Sequence, residues 1–179
     1  MRILVIAAHP RPEQSRANQA LSLEITKQPD MDYRNLYEEY SDWNIDADKE
    51  RELLLRYDRI VFQFPLYWYS CPPLMKKWFD DVLTFGWAFG PSGDRLLGKE
   101  FMLATTAGGT ENSYRSGGSN RFTVSELLRP IEQTIFTCKG TFLPGFISYN
   151  ANAGSGEYLA DEAKRFAKHI RLPAEELVH

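Results

Sequence analysis

The sequence predicts an α/β domain in three layers: a doubly wound, parallel five-stranded sheet in strand order 2-1-3-4-5, with helices on both faces. Three observations predict it. Short apolar runs alternate with segments of helical period along the chain. The first run, Ile3 to Ala8, is apolar without interruption, as a parallel strand buried on both faces must be. A chain of 179 residues suits one such domain and leaves little for a second. Residues 1–172 are therefore read as a single domain, and 173–179 as a C-terminal tail.

Each element has a local reason. After the loop His9 to Gln14, Ser15 can cap a helix running to about Lys27, with Ala17, Ala20, Leu21 and Ile25 near helical spacing. Pro29-Asp30 ends it, and Met31 to Leu36 forms a short second strand suited to a sheet edge. Asp48 to Tyr57 reads as a helix with acidic residues in its first turn. Ile60 to Phe64 is the third strand, stopped by Pro65. Pro72-Pro73 opens a helix to about Val82, where a missing N–H costs nothing. Phe101 to Thr106 is the fourth strand. A Gly-rich loop from Ala107 to Asn120 leads to a helix over Val124 to Thr137 with Pro130 in its middle. Phe142 to Tyr149 is the fifth strand and Gly156 to Ile170 the last helix. That helix starts with Glu157, Asp161 and Glu162 and ends with Lys164, Arg165, Lys168 and Arg171. The order complements the helix dipole and reads as structural.

Composition excludes several functions. A net charge of −3 offers no basic surplus for nucleic acid or an anionic membrane. The opening apolar run of six residues is too short for a signal-peptide core or a membrane span, and the expected location is cytoplasmic. Cys71 and Cys138 have no C-x-x-C or zinc-like spacing and read as free thiols. The histidines, His9, His169 and His179, give no basis for a His-rich metal site, and no metal is expected. All 12 glycines follow residue 85, so a G-x-G-x-x-G after the first strand and an early Walker loop are both missing. The G-x-S-x-G elbow and the C-x₅-R phosphatase loop are missing too.

In this strand order, ligands sit at the carboxyl ends of the strands, where strands 1 and 3 diverge. Three loops leave the sheet there. The first, HPRPEQSRAN, runs into a helix N-terminus that favours an anion, with His9, Ser15 and Asn18 as donors and Arg16 as a fixed charge. The second, Pro65-Leu66-Tyr67-Trp68-Tyr69-Ser70, belongs to a stretch of 28 residues, Phe62 to Phe89, that holds ten of the 24 aromatics. Phe62, Phe64, Trp78 and Phe79 are core by pattern; Tyr67, Trp68 and Tyr69 follow the strand end and suit a flat ligand or a covered surface. The third, Thr105-Thr106-Ala107-Gly108-Gly109 with Tyr114 after it, offers hydroxyls and backbone free of side chains. The three converge on a site for a phosphate joined to a flat heterocycle, a description that flavin mononucleotide fits.

The stretches HPRPEQSRAN, LYEEYSDWNID, PLYWYSCPPLMKKWFDDVLTFGWAFG and TTAGGTENSY closely resemble the flavodoxin-like NAD(P)H:quinone oxidoreductases. The likeness is strongest to the branch that includes ancillary oxidoreductases of glutathione-gated potassium-efflux systems. It implies that His9, Ser15, Arg16, Ala17 and Asn18 hold the flavin phosphate and ribityl end. It implies that Pro65, Leu66, Tyr67, Trp68 and Tyr69 line the isoalloxazine, and that Thr105, Thr106, Ala107, Gly108 and Gly109 meet its pyrimidine edge. Tyr114 matches a family tyrosine near the flavin, which implies a catalytic part for it in hydride or proton movement. Ala107 stands where glycine is frequent. Some relatives carry a histidine shortly after the tyrosine; this chain has none between His9 and His169, leaving its part to Tyr114, Asn120, Arg115 or water.

The expected activity is ping-pong, two-electron quinone reduction by NADH or NADPH through flavin N5, with FMN as cofactor and FAD also admitted. The resemblance further implies a homodimer, with Trp87 and Phe89 walling the slot or lining the dimer interface. The other function it admits is a regulatory flavoprotein docked on a potassium-efflux transporter at the inner membrane, with catalysis secondary. A one-electron flavodoxin carrier fits less well, because such carriers are more acidic and use a glycine-bearing phosphate loop.

Overall fold

A computed structural model describes residues 1–177; His179, and with it the end of the 173–179 tail, lies outside the described residues. The strands are β1 (Ile3–Ala7), β2 (Met31–Asn35), β3 (Arg59–Pro65), β4 (Glu100–Thr106), β5 (Thr141–Phe142) and β6 (Phe146–Ser148). The helices are α1 (Arg16–Ile25), α2 (Leu36–Glu39), α3 (Ala47–Leu55), α4 (Pro73–Val82), α5 (Val124–Leu127), α6 (Arg129–Thr137) and α7 (Gly156–His169). All pairings are parallel, and the sheet order is β2-β1-β3-β4-β5, with β6 also on β4. The expected order 2-1-3-4-5 is therefore the order found, with β2 at the edge.

Strand alternation separates two cores. Leu4, Ile6, Phe62, Phe64, Phe101 and Leu103 face α3, α4 and α6, whereas Ile3, Val5, Val61, Met102 and Ala104 face α1 and α7. Leu177 packs into the second core, with Leu172 and Ala174 against it.

Four sequence expectations need correction. The fifth strand is two short pieces, because Pro144-Gly145 lifts the chain off the ladder between them. Gly145 passes so close to β4 that a Cβ there would sit 2.7 Å from the Leu103 carbonyl oxygen. The helix over Val124 to Thr137 breaks at Leu128, and Pro130 falls in the first turn of α6, where proline is tolerated. A four-residue helix, α2, follows β2 and lacks enough turns to show a period. Pro65 does not stop β3 but ends inside it, paired with Thr106. Gln63 O accepts from Ala8 on the β1 side and Leu66 N–H donates to Thr106 on the β4 side. By that alternation an N–H at position 65 would face β1, which has already ended at Ala7, so its loss costs little.

A buried carboxylate locks the helices under the aromatic turn. Glu50 of α3 is 0% exposed and accepts from the Tyr40 hydroxyl at 2.7 Å and the Trp78 indole at 2.9 Å. Arg34 pairs with it at 2.6 Å. Burial and the neighbouring Glu50 push the Tyr40 hydroxyl up to about 12, so it stays a donor. At the opposite end of the sheet Arg59 donates to Glu100 and to the carbonyls of Ile170 and Leu172, fastening the end of α7.

Glu50→Ala strands Arg34, Tyr40 and the Trp78 indole without their shared acceptor. The expected loss of stability is about 3–5 kcal/mol, the range for breaking a buried pair from one side. Urea unfolding followed by circular dichroism checks this; a loss under about 1 kcal/mol, the level of a surface pair, contradicts the assignment.

Candidate functional site

The loops after β1, β3 and β4 meet at one edge of the sheet around a polar cavity of about 390 Å³. Its walls include His9, Ser15, Arg16, Pro65, Leu66, Tyr67, Thr106 and Gly108, eight of the residues named from sequence.

The first loop is organised by its cap. Ser15 precedes α1, and its Oγ accepts from the Asn18 N–H at 3.3 Å and the Asn18 amide at 3.0 Å. Asn18 is only 5% exposed, and its amide also donates to Thr106 Oγ1 at 2.8 Å. Asn18 therefore does not face the cavity mouth as a free donor. It fixes the Ser15 and Thr106 oxygens as acceptors and leaves their hydroxyl protons for something else. At the helix start the N–H groups of Arg16 and Ala17 have no partner among the described residues, and the dipole adds positive potential. Ala17 itself is buried, so it contributes backbone only.

His9 lies beside this helix start. The Arg11 N–H donates to its Nδ1 at 3.1 Å, so the neutral ring carries its proton on Nε2. Burial lowers its pKa, against the opposing charge of Glu13.

The second loop is a tight turn. Tyr67 N–H donates to Ser70 O at 2.8 Å and Ser70 N–H returns to Tyr67 O at 3.1 Å. Between them Trp68 and Tyr69 adopt φ of 47° and 64°, left-handed values that bulky residues rarely take. Their N–H groups have no partner among the described residues, and the Trp68 side chain is 86% exposed. The turn presents backbone donors and aromatic faces together.

The third loop packs closely around its glycines. A Cβ on Gly108 would lie 2.8 Å from the Asn152 amide, and one on Gly109 would lie 2.6 Å from Ser113 Oγ and 3.2 Å from the Tyr114 ring. Tyr114 is mostly buried beside Tyr149, and burial together with Tyr69 raises its pKa. Asn120 links the cluster, meeting the Tyr69 hydroxyl at 3.5 Å and Ser113 Oγ at 3.2 Å. Alternation along β4 separates the two threonines: Thr106 reaches the cavity, whereas the fully buried Thr105 lines a small space against α5. Ala107 is also fully buried, its N–H donated to Ser148 O and its carbonyl taken by Ala151 N–H, so both positions support the loop from behind.

Sequence reading missed Arg11, Gln14, Ala151 and Asn152, which line the same cavity. Asn150 and Ala151 also brace the third loop, donating to Gly109 O and Ala107 O at 3.0 Å each. The signal was available, since these residues follow the last strand at its carboxyl end. Trp87 and Phe89 lie elsewhere. Arg51 stacks on Trp87 at 5.5 Å, and Phe89 meets Phe85 edge-on and lines a groove between α4 and α6. His169 contacts the Pro144 carbonyl, far along the chain from Tyr114. Among the described residues no cluster of three or more metal-ligating side chains exists, and no helix is long and apolar enough to cross a membrane.

The lowered His9 pKa sets a pH dependence for the flavin-free protein. The unfolded chain binds this proton more readily than the folded one, so stability falls as pH drops through ~6.5 towards the folded value. His9→Gln flattens that part of a melting-temperature profile. A slope the variant leaves unchanged removes His9 from the account.

Comparison with known proteins places this geometry. The model for the flavodoxin-like fold family matches residues 1–170. An uncharacterized NAD(P)H oxidoreductase, YdeQ, of Bacillus subtilis is 48% identical over 95% of this chain and 86% of its own. The glutathione-regulated potassium-efflux system ancillary protein KefG of Salmonella paratyphi B is 39% identical over 96% and 94%. Among solved structures, general stress protein 14 of Treponema denticola, in complex with FMN, is 33% identical with a TM-score of 0.91 over 95% and 98%. An NADPH-quinone reductase from P. pentosaceus is 29% identical with a TM-score of 0.87 over 97% and 100%. A thermophilic tryptophan halogenase from Streptomycin violaceusniger is 47% identical with a TM-score of 0.92 over 95% and 99%. A parallel sheet in order 2-1-3-4-5, matched along nearly its whole length, makes this chain a member of the flavodoxin-like fold family.

Proposed function

We propose that the chain is an FMN-dependent oxidoreductase that passes two electrons from NADH or NADPH to quinones by a ping-pong mechanism. The observation that carries the reading is the single cavity edge where an anion cradle, an aromatic turn with free N–H groups and a glycine pair meet. The FMN-bound and quinone-reductase neighbours support it.

The residues present fit FMN. The N–H groups of Arg16 and Ala17, the Ser15 and Thr106 hydroxyls and the His9 Nε2 proton hold the phosphate, and the Arg11 and Arg16 charges balance it. Pro65, Leu66 and Tyr67 line one side of the ring system, and the N–H groups of Trp68 and Tyr69 meet its polar edge. The backbone from Thr105 to Gly109 lies along the pyrimidine side. When bound, FMN supplies the two-electron chemistry. Tyr114, kept protonated by burial, donates to the oxygen of the quinone as negative charge grows there. Trp68, Tyr69 and Phe85 are exposed apolar surface, and a second copy of the chain covers them in the proposed homodimer. The proposed location is cytoplasmic.

The KefG relative favours a second reading, a regulatory subunit on a potassium-efflux transporter at the membrane. Retained FMN with negligible quinone turnover selects it.

Purified protein should carry FMN and give parallel double-reciprocal lines with nicotinamide and quinone competing. Ser15→Ala weakens FMN by about 0.5–3 kcal/mol. Tyr114→Phe slows reoxidation of the reduced protein by quinone roughly ten- to a hundredfold, with no histidine limb in its pH profile. Absence of saturable FMN binding sinks the reading.

A further inference from the structure

A second cavity, of about 320 Å³, lies on the other side of His9 from the aromatic turn, at the carboxyl ends of β1 and β2. It shares His9 with the anion cradle, but nothing in the proposed chemistry uses it. Ala7 lies at its inner end, on the sheet face that carries Ile3 and Val5, and Leu23 stands at its rim 62% exposed, a large apolar side chain with nothing over it.

The polar side of this crevice is organised. Gln63 donates to Ser22 Oγ at 3.1 Å and Ser22 donates to the Tyr33 hydroxyl at 2.9 Å, so the Tyr33 proton is left to face outward as a donor. The buried Asn35 donates to Glu38 Oε1 at 2.9 Å. That bond orients the carboxylate and leaves its second oxygen open. Arg34 pairs with Glu39 and Glu50 instead, and Glu38 has no cation partner among the described residues.

We propose that this crevice is a nucleoside subsite that takes adenosine, with the ribose diol on Glu38 and the base between Leu23 and Ala7. Dinucleotide-binding Rossmann sheets hold a ribose diol on a carboxylate placed in this way, past the second strand and beside the phosphate-binding loop after the first. The Tyr33 proton meets a ring nitrogen of the base. The 5′ end of the nucleoside points to His9, so the adenosine arrives either free or as the far end of a dinucleotide such as FAD. Glu38 repels a phosphate at the ribose 2′ position.

The test begins with FMN-loaded protein and adenosine as the probe, followed by saturation-transfer NMR and calorimetry. Saturable binding is expected, weakened about tenfold or more by Glu38→Gln and by the use of 2′,3′-dideoxyadenosine, with FMN affinity unchanged. Tyr33→Phe should weaken adenosine severalfold while leaving the discrimination against the dideoxy compound. Comparison of FAD with FMN on flavin-free protein separates the sources. An FAD advantage that Glu38→Gln abolishes assigns the subsite to the dinucleotide; equal flavin affinities with adenosine still bound assign it to a free nucleoside. Failure of adenosine to saturate, or binding indifferent to both Glu38→Gln and the ribose hydroxyls, overturns the proposal. FMN affinity is read in the same experiment, so this failure is distinct from failure of the flavin assignment.

Discussion

The site depends on one side chain that a ligand need not touch. Asn18 spans from the cap of α1 to the end of β4 through Ser15 Oγ and Thr106 Oγ1. A neutral amide with one polar atom in two bonds, buried where water cannot replace it, is costly to unpair. It therefore helps to fix the distance between the first and third loops. The hydroxyl protons of Ser15 and Thr106 face the cavity because Asn18 occupies their acceptor side.

The aromatic turn is held by a different device. Two bulky residues in left-handed conformation cost of the order of 1–3 kcal/mol each, and they persist only where the surroundings over-determine them. The reciprocal Tyr67–Ser70 hydrogen bonds close the turn, and α4 starts three residues later. Trp78 then fastens α4 to Glu50. Strain at the turn is thus sustained by a buried carboxylate on a helix that does not reach the site.

How much of this was legible in the sequence follows from what each feature depends on. β1, β3 and β4 were readable because strands buried on both faces must be apolar throughout. The break between β5 and β6 was signalled by Pro144-Gly145, yet apolar residues on both sides read as one run. Pro65 looked like a stop because a missing N–H matters only if a neighbouring strand still runs beside it, and sequence does not show that β1 has ended. Asn18 was named for the right place but the wrong task, since burial three residues into a helix depends on what packs over it. Arg11 left no pattern and belongs to the site through loop shape, whereas Asn152 could have been found from its place after the last strand. The separation of Thr105 from Thr106, by contrast, follows from strand alternation and could have been drawn in advance.

The central claim is that the cradle at Ser15, Arg16 and Ala17 holds the FMN phosphate. Phosphorus NMR of the FMN-loaded protein tests it most directly. A free phosphate monoester gains a proton near pH ~6, and its resonance moves accordingly. Held by backbone N–H groups, two hydroxyls and two arginines, the phosphate should remain dianionic, with a resonance that does not move between pH ~5.5 and ~8. A bound resonance that titrates like free FMN would place the phosphate in solvent and contradict the account.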